Sequence, residues 1–332
     1  MNGMNRHDPA AGSAPPFEPS GAEPSRVAAI GPGAPVLAFD VGGTDIKSAL
    51  FTAEGTALGL RRTPTPVVAG DRTAAVIDAL EALADNLRAT YADVVPQSVG
   101  LVVPGIVDAT AGVGVIATNM GWRNAPLRDL AAARLGLPVA FEHDVSAASW
   151  AERMLGGARG YDDAVVLVIG TGIAGALLIG GVPYTAAGYA GEIGHSPIAD
   201  GPLCVCGARG CLEAVASAGA IARRYFEATG IEPQGAKDVI ARAMTGDAAA
   251  AEIWNSALDA LTLSLAQLTA VFAPQAIVIG GGLSRAGGAL FDELRTRLRE
   301  RLSFHRIPKL VAAELSGNAG LLGAALRGRE LA

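Results

Sequence analysis

Val36-Leu37-Ala38-Phe39-Asp40-Val41-Gly42-Gly43-Thr44-Asp45-Ile46-Lys47-Ser48-Ala49-Leu50-Phe51 is the stretch on which the fold turns. Val36 to Val41 is apolar and largely β-branched or aromatic apart from Asp40, which predicts a buried strand. Gly42-Gly43-Thr44 turns the chain, Ile46 to Phe51 runs back as a second strand, and Ala57 to Arg61 reads as a third. The pattern begins again after Gly156-Gly157. Val165 to Ile169 reads as a strand, Gly170-Thr171-Gly172 as a turn, and the next strand carries Leu177 to Ile179. Two hairpins of the same design, 36–51 and 164–180, predict two related halves.

Outward from these hairpins, strands alternate with helices. Val76, Ile77, Leu80, Leu83, Leu87 and Tyr91 recur at helical spacing, so a helix is expected over 71–91 with Asp71 as its cap. Val99 to Val103 predicts a buried strand and Leu137 to Phe141 a short one, with Asp144 at its carboxyl end before the helical stretch Ser146 to Leu155. Further helices are expected at Ala216 to Ala228, Ala248 to Phe272 and Gly287 to Leu302, around the strand Ala276 to Ile279. This is an α/β pattern, with ligands expected between the halves at the carboxyl ends of strands. The expected organisation is a disordered tail over 1–35, an N-terminal α/β lobe over 36–156 and a C-terminal α/β lobe over 157–332, whose last helix is free to pack back on the first lobe.

Composition narrows the classes of function. Of 332 residues, 50% are hydrophobic and 17% charged, enough apolar surface for a large core. With 26 basic and 32 acidic residues the net charge is −6, so no basic surface invites nucleic acid, and any anionic ligand must be held locally. Residues 1–35 have no apolar core of the signal-peptide kind and are too few for a helix-turn-helix. The stretch between Asp163 and Glu192 is uncharged, but its glycine turns make it two strands rather than a membrane span. Three cysteines supply no disulfide framework, which fits a reducing, cytoplasmic setting.

Glycine-rich turns that aim several backbone N–H groups at one point hold anions, and Thr adds a hydroxyl. Asp40 at a strand end beside Gly42, Gly43 and Thr44 is placed to hold Mg²⁺, directly or through water, next to a phosphate. Gly170-Thr171-Gly172 and Gly280-Gly281-Gly282 are further turns of this kind. Neither a Walker lysine motif nor a dinucleotide fingerprint is present. His195, Cys204, Cys206 and Cys211 gather every cysteine of the chain and have the number and softness for a closed, structural zinc site. The alternatives are free buried thiols, or a strained Cys204–Cys206 disulfide that would strand Cys211.

These residues resemble the ROK family of sugar kinases and repressors, in the actin, hexokinase and Hsp70 ATPase superfamily. The resemblance is carried by Gly191-Glu192-Ile193-Gly194-His195, by Cys204-Val205-Cys206-Gly207 and Gly210-Cys211-Leu212-Glu213, and by the three glycine turns, over roughly 36–328. It implies a two-lobed ribonuclease-H-like (actin-like ATPase) fold with the active site in the interlobe cleft. It also implies an ATP-dependent hexose kinase acting on the C6 hydroxyl of glucose or a related sugar. Asp144 would be the general base, Glu192, His195 and Glu213 would bind ring hydroxyls, and Gly105 and Asn119 would line the sugar pocket. Asp40 to Thr44 would be the first phosphate motif, Gly170 to Gly175 the second, and Gly280 to Gly282 the adenosine motif.

Two positions depart from the family pattern. His143 stands where most relatives place an Asn that touches the sugar, and Asp45 stands where many carry Lys, with Lys47 two positions on. N-acetylhexosamine, mannose, fructose and allose are therefore alternative acceptors. Polyphosphate is an alternative donor, although relatives that use it generally lack the cysteine cluster. The other class of function in the family is a sugar-responsive regulator without kinase activity, for which residues 1–35 supply no DNA-binding module. Relatives are commonly dimers or tetramers, so a homo-oligomer is expected.

Overall fold

The computed structural model describes residues 27–198 and 200–332. In the first half β1 (Val36–Val41), β2 (Asp45–Phe51) and β3 (Ala57–Pro64) form an antiparallel meander, followed by α1 (Thr73–Thr90) and by β4 (Ser98–Val103), which returns parallel to β1. A small antiparallel sheet of β5 (Ile106–Asp108), β6 (Val113–Ala117) and β7 (Trp122–Ala125) comes next. Then come α2 (Leu127–Leu135), β8 (Val139–His143) and α3 (Asp144–Leu155). The main sheet runs β3-β2-β1-β4-β8. Its β1 and β4 are buried along their whole length, as strands covered on both faces must be.

The second half opens with β9 (Ala164–Ile169), β10 (Ile173–Ile179) and β11 (Val182–Tyr184). It continues through α4 (Leu212–Ala216), α5 (Ala218–Thr229), α6 (Ala236–Met244), α7 (Ala248–Phe272), β12 (Ala276–Gly280), α8 (Gly288–Arg301), β13 (Lys309–Ala312) and α9 (Ala319–Arg329). Its sheet, β11-β10-β9-β12-β13, repeats the order and the directions of the first. Each half has its own core, one around Phe39, Leu80, Leu101 and Trp122, the other around Leu167, Trp254, Leu265 and Ile279. A third core joins α3 and α9 to β1. No helix among the described residues is long and apolar enough to cross a membrane.

Several expectations shift in detail. Of the tail expected over 1–35, residues 1–26 lie outside the described residues, whereas 27–35 are packed. Ile30 is buried, its N–H reaches the Gly55 carbonyl at 3.1 Å, and Arg329 donates to the Ala34 carbonyl at 3.0 Å. The helix expected from Asp71 begins at Thr73, with Arg72 in the cap position, and Asp71 accepts the Thr73 N–H at 2.8 Å instead. The strand expected over 137–141 is displaced to 139–143 because Pro138 has no N–H for the ladder. The single helix expected over 216–228 divides at Ser217, whose backbone is extended and whose Oγ accepts the Ala220 N–H at 3.0 Å.

Helix α9 returns to the first lobe and lies on β1 and β4. Glycine permits the approach. A Cβ on Gly100 would stand 1.8 Å from the Ala324 carbonyl oxygen, and one on Gly323 would stand 2.0 Å from that of Ala147 in α3. Gly100→Ala is therefore expected to lower stability by about 3 kcal/mol, the upper end of the overpacking range. Thermal denaturation checks this, and an unchanged melting temperature would contradict the contact.

Candidate active site

The β1–β2 register sets Asp40 opposite Lys47, and the two form an ion pair of 2.8 Å at the floor of the cleft. Asp45, two residues earlier, turns instead to Arg62 at 3.4 Å. The Gly42–Thr44 turn is held from outside by Thr65, whose hydroxyl donates to the Gly42 carbonyl at 2.7 Å and whose N–H donates to that of Thr44 at 2.9 Å. Neither the Gly43 nor the Thr44 N–H has an acceptor among the described residues, which leaves this pair for an anion. Asn119 lies against the turn, since a Cβ on Gly43 would meet its side-chain nitrogen at 2.8 Å. Asp40 gives one oxygen to Lys47. The other has no hydrogen-bond partner among the described residues and fits a Mg²⁺ bound with a nucleotide.

Asp144 opens α3 directly after β8, with its backbone already helical and His143 as the extended cap residue. Its Oδ1 accepts the Val145 N–H at 2.7 Å and lies 3.1 Å from Nε2 of His143, while 29% of the side chain remains exposed. Burial pushes the Asp144 carboxyl above the ordinary range. The charge of His143 opposes this rise, the nearby Asp40 adds to it, and the Val145 N–H and Lys47 work against it. Beneath the pair, Glu142 is buried and accepts from the Ser146 hydroxyl at 2.5 Å and from Arg327 of α9 at 2.8 Å, so the β8–α3 junction is tied to the last helix.

On the opposite lobe, the Gly170–Gly172 turn leaves the N–H groups of Thr171 and Gly172 without acceptors among the described residues. Glu213 reaches this turn rather than standing free, accepting the Ile173 N–H at 2.8 Å. Gly280–Gly282 closes β12. Gly281 has φ +80°, and a Cβ there would lie 2.4 Å from the Ile169 carbonyl, so the third turn nests against the end of β9. Gly282 lines two cavities. One, of about 400 Å³, is walled by Ala236, Ile240, Leu283, Gln234 and Arg285, and the other, of about 380 Å³, lies between the lobes.

The Glu192–His195 segment joins the cleft from the second lobe. Gly188 rests on β5, with φ +90° and a would-be Cβ 2.2 Å from the Val107 carbonyl, which brings this segment beside the loop holding Gly105. Gly105 itself has φ +93° and packs against Ile116 and Ala117, so its glycine answers a close approach in the small sheet. His195 turns Nδ1 to Cys204 Sγ at 3.5 Å, and its Nε2 stands 3.9 Å from Glu192. Cys206 and Cys211 sulfurs are 3.7 Å apart, and the ligand atoms of His195, Cys204, Cys206 and Cys211 all lie within 4.8 Å of one another. A tetrahedral zinc spaces its sulfur and nitrogen donors about 3.5–3.8 Å apart, the spacing of the His195–Cys204 and Cys206–Cys211 pairs, so the donor types and these two pairs suit that ion. All three cysteines are free of disulfides. Burial, then the neighbouring thiols, push Cys211 up to about 12.

Sequence patterning singles out the glycine turns, Asp40, Asp144 and the metal ligands. It misses Thr65, Glu142 and Arg327, whose partners lie far along the chain.

Two lobes of equivalent sheet topology, each opening with a glycine turn that has amides without acceptors among the described residues, define an α/β protein of the actin-like ATPase fold. The sequence profile described as the ROK family matches residues 36–329, and the chain belongs to that family. A glucokinase of Streptomyces coelicolor is 31% identical over 89% of this chain and 97% of its own length. An N-acetylmannosamine kinase of Shigella flexneri is 34% identical over 88% and 97%. The crystal structure of a ROK family glucokinase from Streptomyces griseus in complex with glucose and AMPPNP matches with a TM-score of 0.74 at 31% identity, covering 90% of this chain and 100% of that one. Elemental analysis of purified protein is expected to find one zinc per chain, and Cys211→Ser to lose it. A wild type essentially free of zinc would refute the assignment.

Proposed function

We propose that this protein is an ATP-dependent hexose kinase that phosphorylates the C6 hydroxyl of glucose or a close relative. The observation that carries this reading is the Asp144 carboxylate, part-exposed in the cleft and flanked by the Asp40–Lys47 turn of its own lobe. In this reading Asp144 accepts the proton of the sugar hydroxyl and aligns its oxygen for in-line attack on the γ-phosphate. The free amides of Gly43, Thr44, Thr171 and Gly172 cradle the phosphates, and Lys47 adds a positive charge beside them. Mg²⁺ bound with the nucleotide would neutralise phosphate charge next to Asp40.

The nucleotide base would occupy the cavity walled by Ile240 and Leu283, whose apolar sides suit a flat ring and whose Gln234 and Arg285 offer polar contacts. Glu192 and Nε2 of His195 would take ring hydroxyls from the second lobe, while Nδ1, turned to Cys204, would hold the metal with the three cysteines and so keep the imidazole oriented. Glu213 would stiffen the second turn through Ile173 and offer its remaining valence to the sugar. His143, in place of the family's Asn, would contact the acceptor near the reacting hydroxyl and so bias the choice among glucose, mannose, fructose, allose and N-acetylhexosamines.

Asp144→Asn is expected to lower kcat by about 10²-fold or more, the scale of a positioned general base. A coupled ADP-release assay over a panel of hexoses, repeated with polyphosphate, measures this and identifies donor and acceptor. Near-normal turnover in the variant would sink the role, and no turnover with any sugar would favour a sensor. The pH profile gives a second check. The base acts when ionised, so kcat at saturating sugar falls as pH falls through the Asp144 pKa, at a pH above the ordinary carboxylate value of about 3.9. His143→Ala removes the main charge opposing that rise and is expected to move the acid limb to still higher pH. A limb unmoved or shifted downward would contradict the assignment.

A further inference from the structure

The chain crosses between the lobes twice, outward after α3 through Gly156-Gly157 and back after β13 through 313–318. Both crossings converge on Glu152. This side chain is 1% exposed, and among the described residues no basic side chain comes within ion-pair distance of it. Its carboxylate is satisfied by backbone alone. Oε2 accepts the Gly157 N–H of the outward crossing at 2.7 Å and the Glu314 N–H of the return at 3.2 Å, and Oε1 accepts the Leu315 N–H at 2.9 Å.

The surroundings are shaped to this contact. A Cβ on Gly156 would lie 2.1 Å from Oε2, and one on Gly157 would lie 2.6 Å from the Ala312 carbonyl, so both glycines admit the approach of the two crossings. Ser316, directly after Leu315, holds φ +50°, a left-handed conformation rare for a residue with a side chain. Outside, Arg159 ties the same two segments, donating to the Gly156 carbonyl at 3.1 Å and pairing with Glu314 at 3.2 Å. The interlobe cavity of about 380 Å³ adjoins the contact, with Glu152, Ala148, Val168, Gly280 and Ser316 on its walls.

We propose that Glu152 is the clasp of the interlobe hinge, a positioning residue that holds both crossings together as one pivot while the lobes swing about it. A buried carboxylate cannot give up these N–H donors without standing unsolvated, so the crossings stay joined whatever the sheets do. The inference rests on the kinase reading for one point, that a hexose drives closure.

Hydrogen exchange on the full-length chain, followed by mass spectrometry with and without glucose, tests the clasp together with small-angle scattering. In the wild type the amides of Gly157, Glu314 and Leu315 are expected to be protected equally in both states, while the radius of gyration falls with glucose. In Glu152→Gln one oxygen becomes an NH₂ that cannot accept, so peptides spanning 156–158 and 313–316 should exchange about tenfold faster or more. The same variant should lose most of the scattering response and show a raised KM for the hexose, with an unchanged far-ultraviolet dichroism spectrum. A folded variant with the wild-type scattering response and wild-type kinetics would overturn the proposal. If the variant does not fold, the wild type decides, because exchange of the three amides at surface-loop rates would also overturn it. A wild type that responds to no hexose yet protects these amides would count against the kinase reading and leave the clasp supported.

Discussion

Helix α9 touches the first sheet backbone to backbone, and this contact ties the end of the chain, after the second lobe, to the first lobe. Gly323 and Gly328 of α9, with Gly100 of β4, bring main chain against main chain, and Ser98 donates to the Gly328 carbonyl at 2.7 Å inside the contact. At this separation packing is unforgiving, because the nearest atoms to Gly100 and Gly323 are main-chain carbonyls that cannot adjust as a side chain would. The helix begins only after the second lobe is complete, so its seat on β1 and β4 ties the end of the chain to the first lobe. Gly320 carries the constraint into the cleft, where a Cβ would press on the Asp40 carboxylate at 2.8 Å. Arg327 carries it to Glu142, one residue before His143 and two before Asp144.

The charges in the cleft follow from that scaffold. A chain with a net charge of −6 has no long-range attraction for phosphate, so capture of an anion falls to local groups. The local groups on offer are the glycine-turn amides without acceptors among the described residues and the ammonium of Lys47, itself paired with Asp40. Lys47 stands on the same strand face as Asp45, two residues along, and the antiparallel register delivers it to Asp40. The departure from the family's lysine at position 45 is thus accompanied by a cation two residues later that reaches the cleft floor.

Much of this was legible in the sequence where the signal is local. The hairpins around Gly42–Thr44 and Gly170–Gly172, the helix over 248–272 and the strand before Gly280 follow from apolar runs and turn residues next to one another. The cysteine cluster was legible because ligands on one loop keep short spacing. Glu152 gave no such signal, since its partners Glu314 and Leu315 lie on the far side of the second lobe in sequence. The family resemblance points to Glu213 as a sugar ligand, whereas its hydrogen bond to Ile173 gives no local signal, because that turn lies forty residues earlier in the chain. The composition of residues 27–35 predicts disorder, whereas one buried isoleucine with a few backbone hydrogen bonds docks them.

The central claim is that the carboxylate at the end of β8 meets the acceptor hydroxyl between two phosphate-holding turns. A crystal structure with glucose and a non-hydrolysable ATP analogue tests it most directly. An Asp144 oxygen is expected within about 2.6–3.2 Å of the sugar's C6 hydroxyl, with that hydroxyl in line with the γ-phosphate. A sugar seated in the cleft with its C6 hydroxyl turned away from Asp144, or phosphates lying off the Gly43 and Thr171 turns, would contradict it.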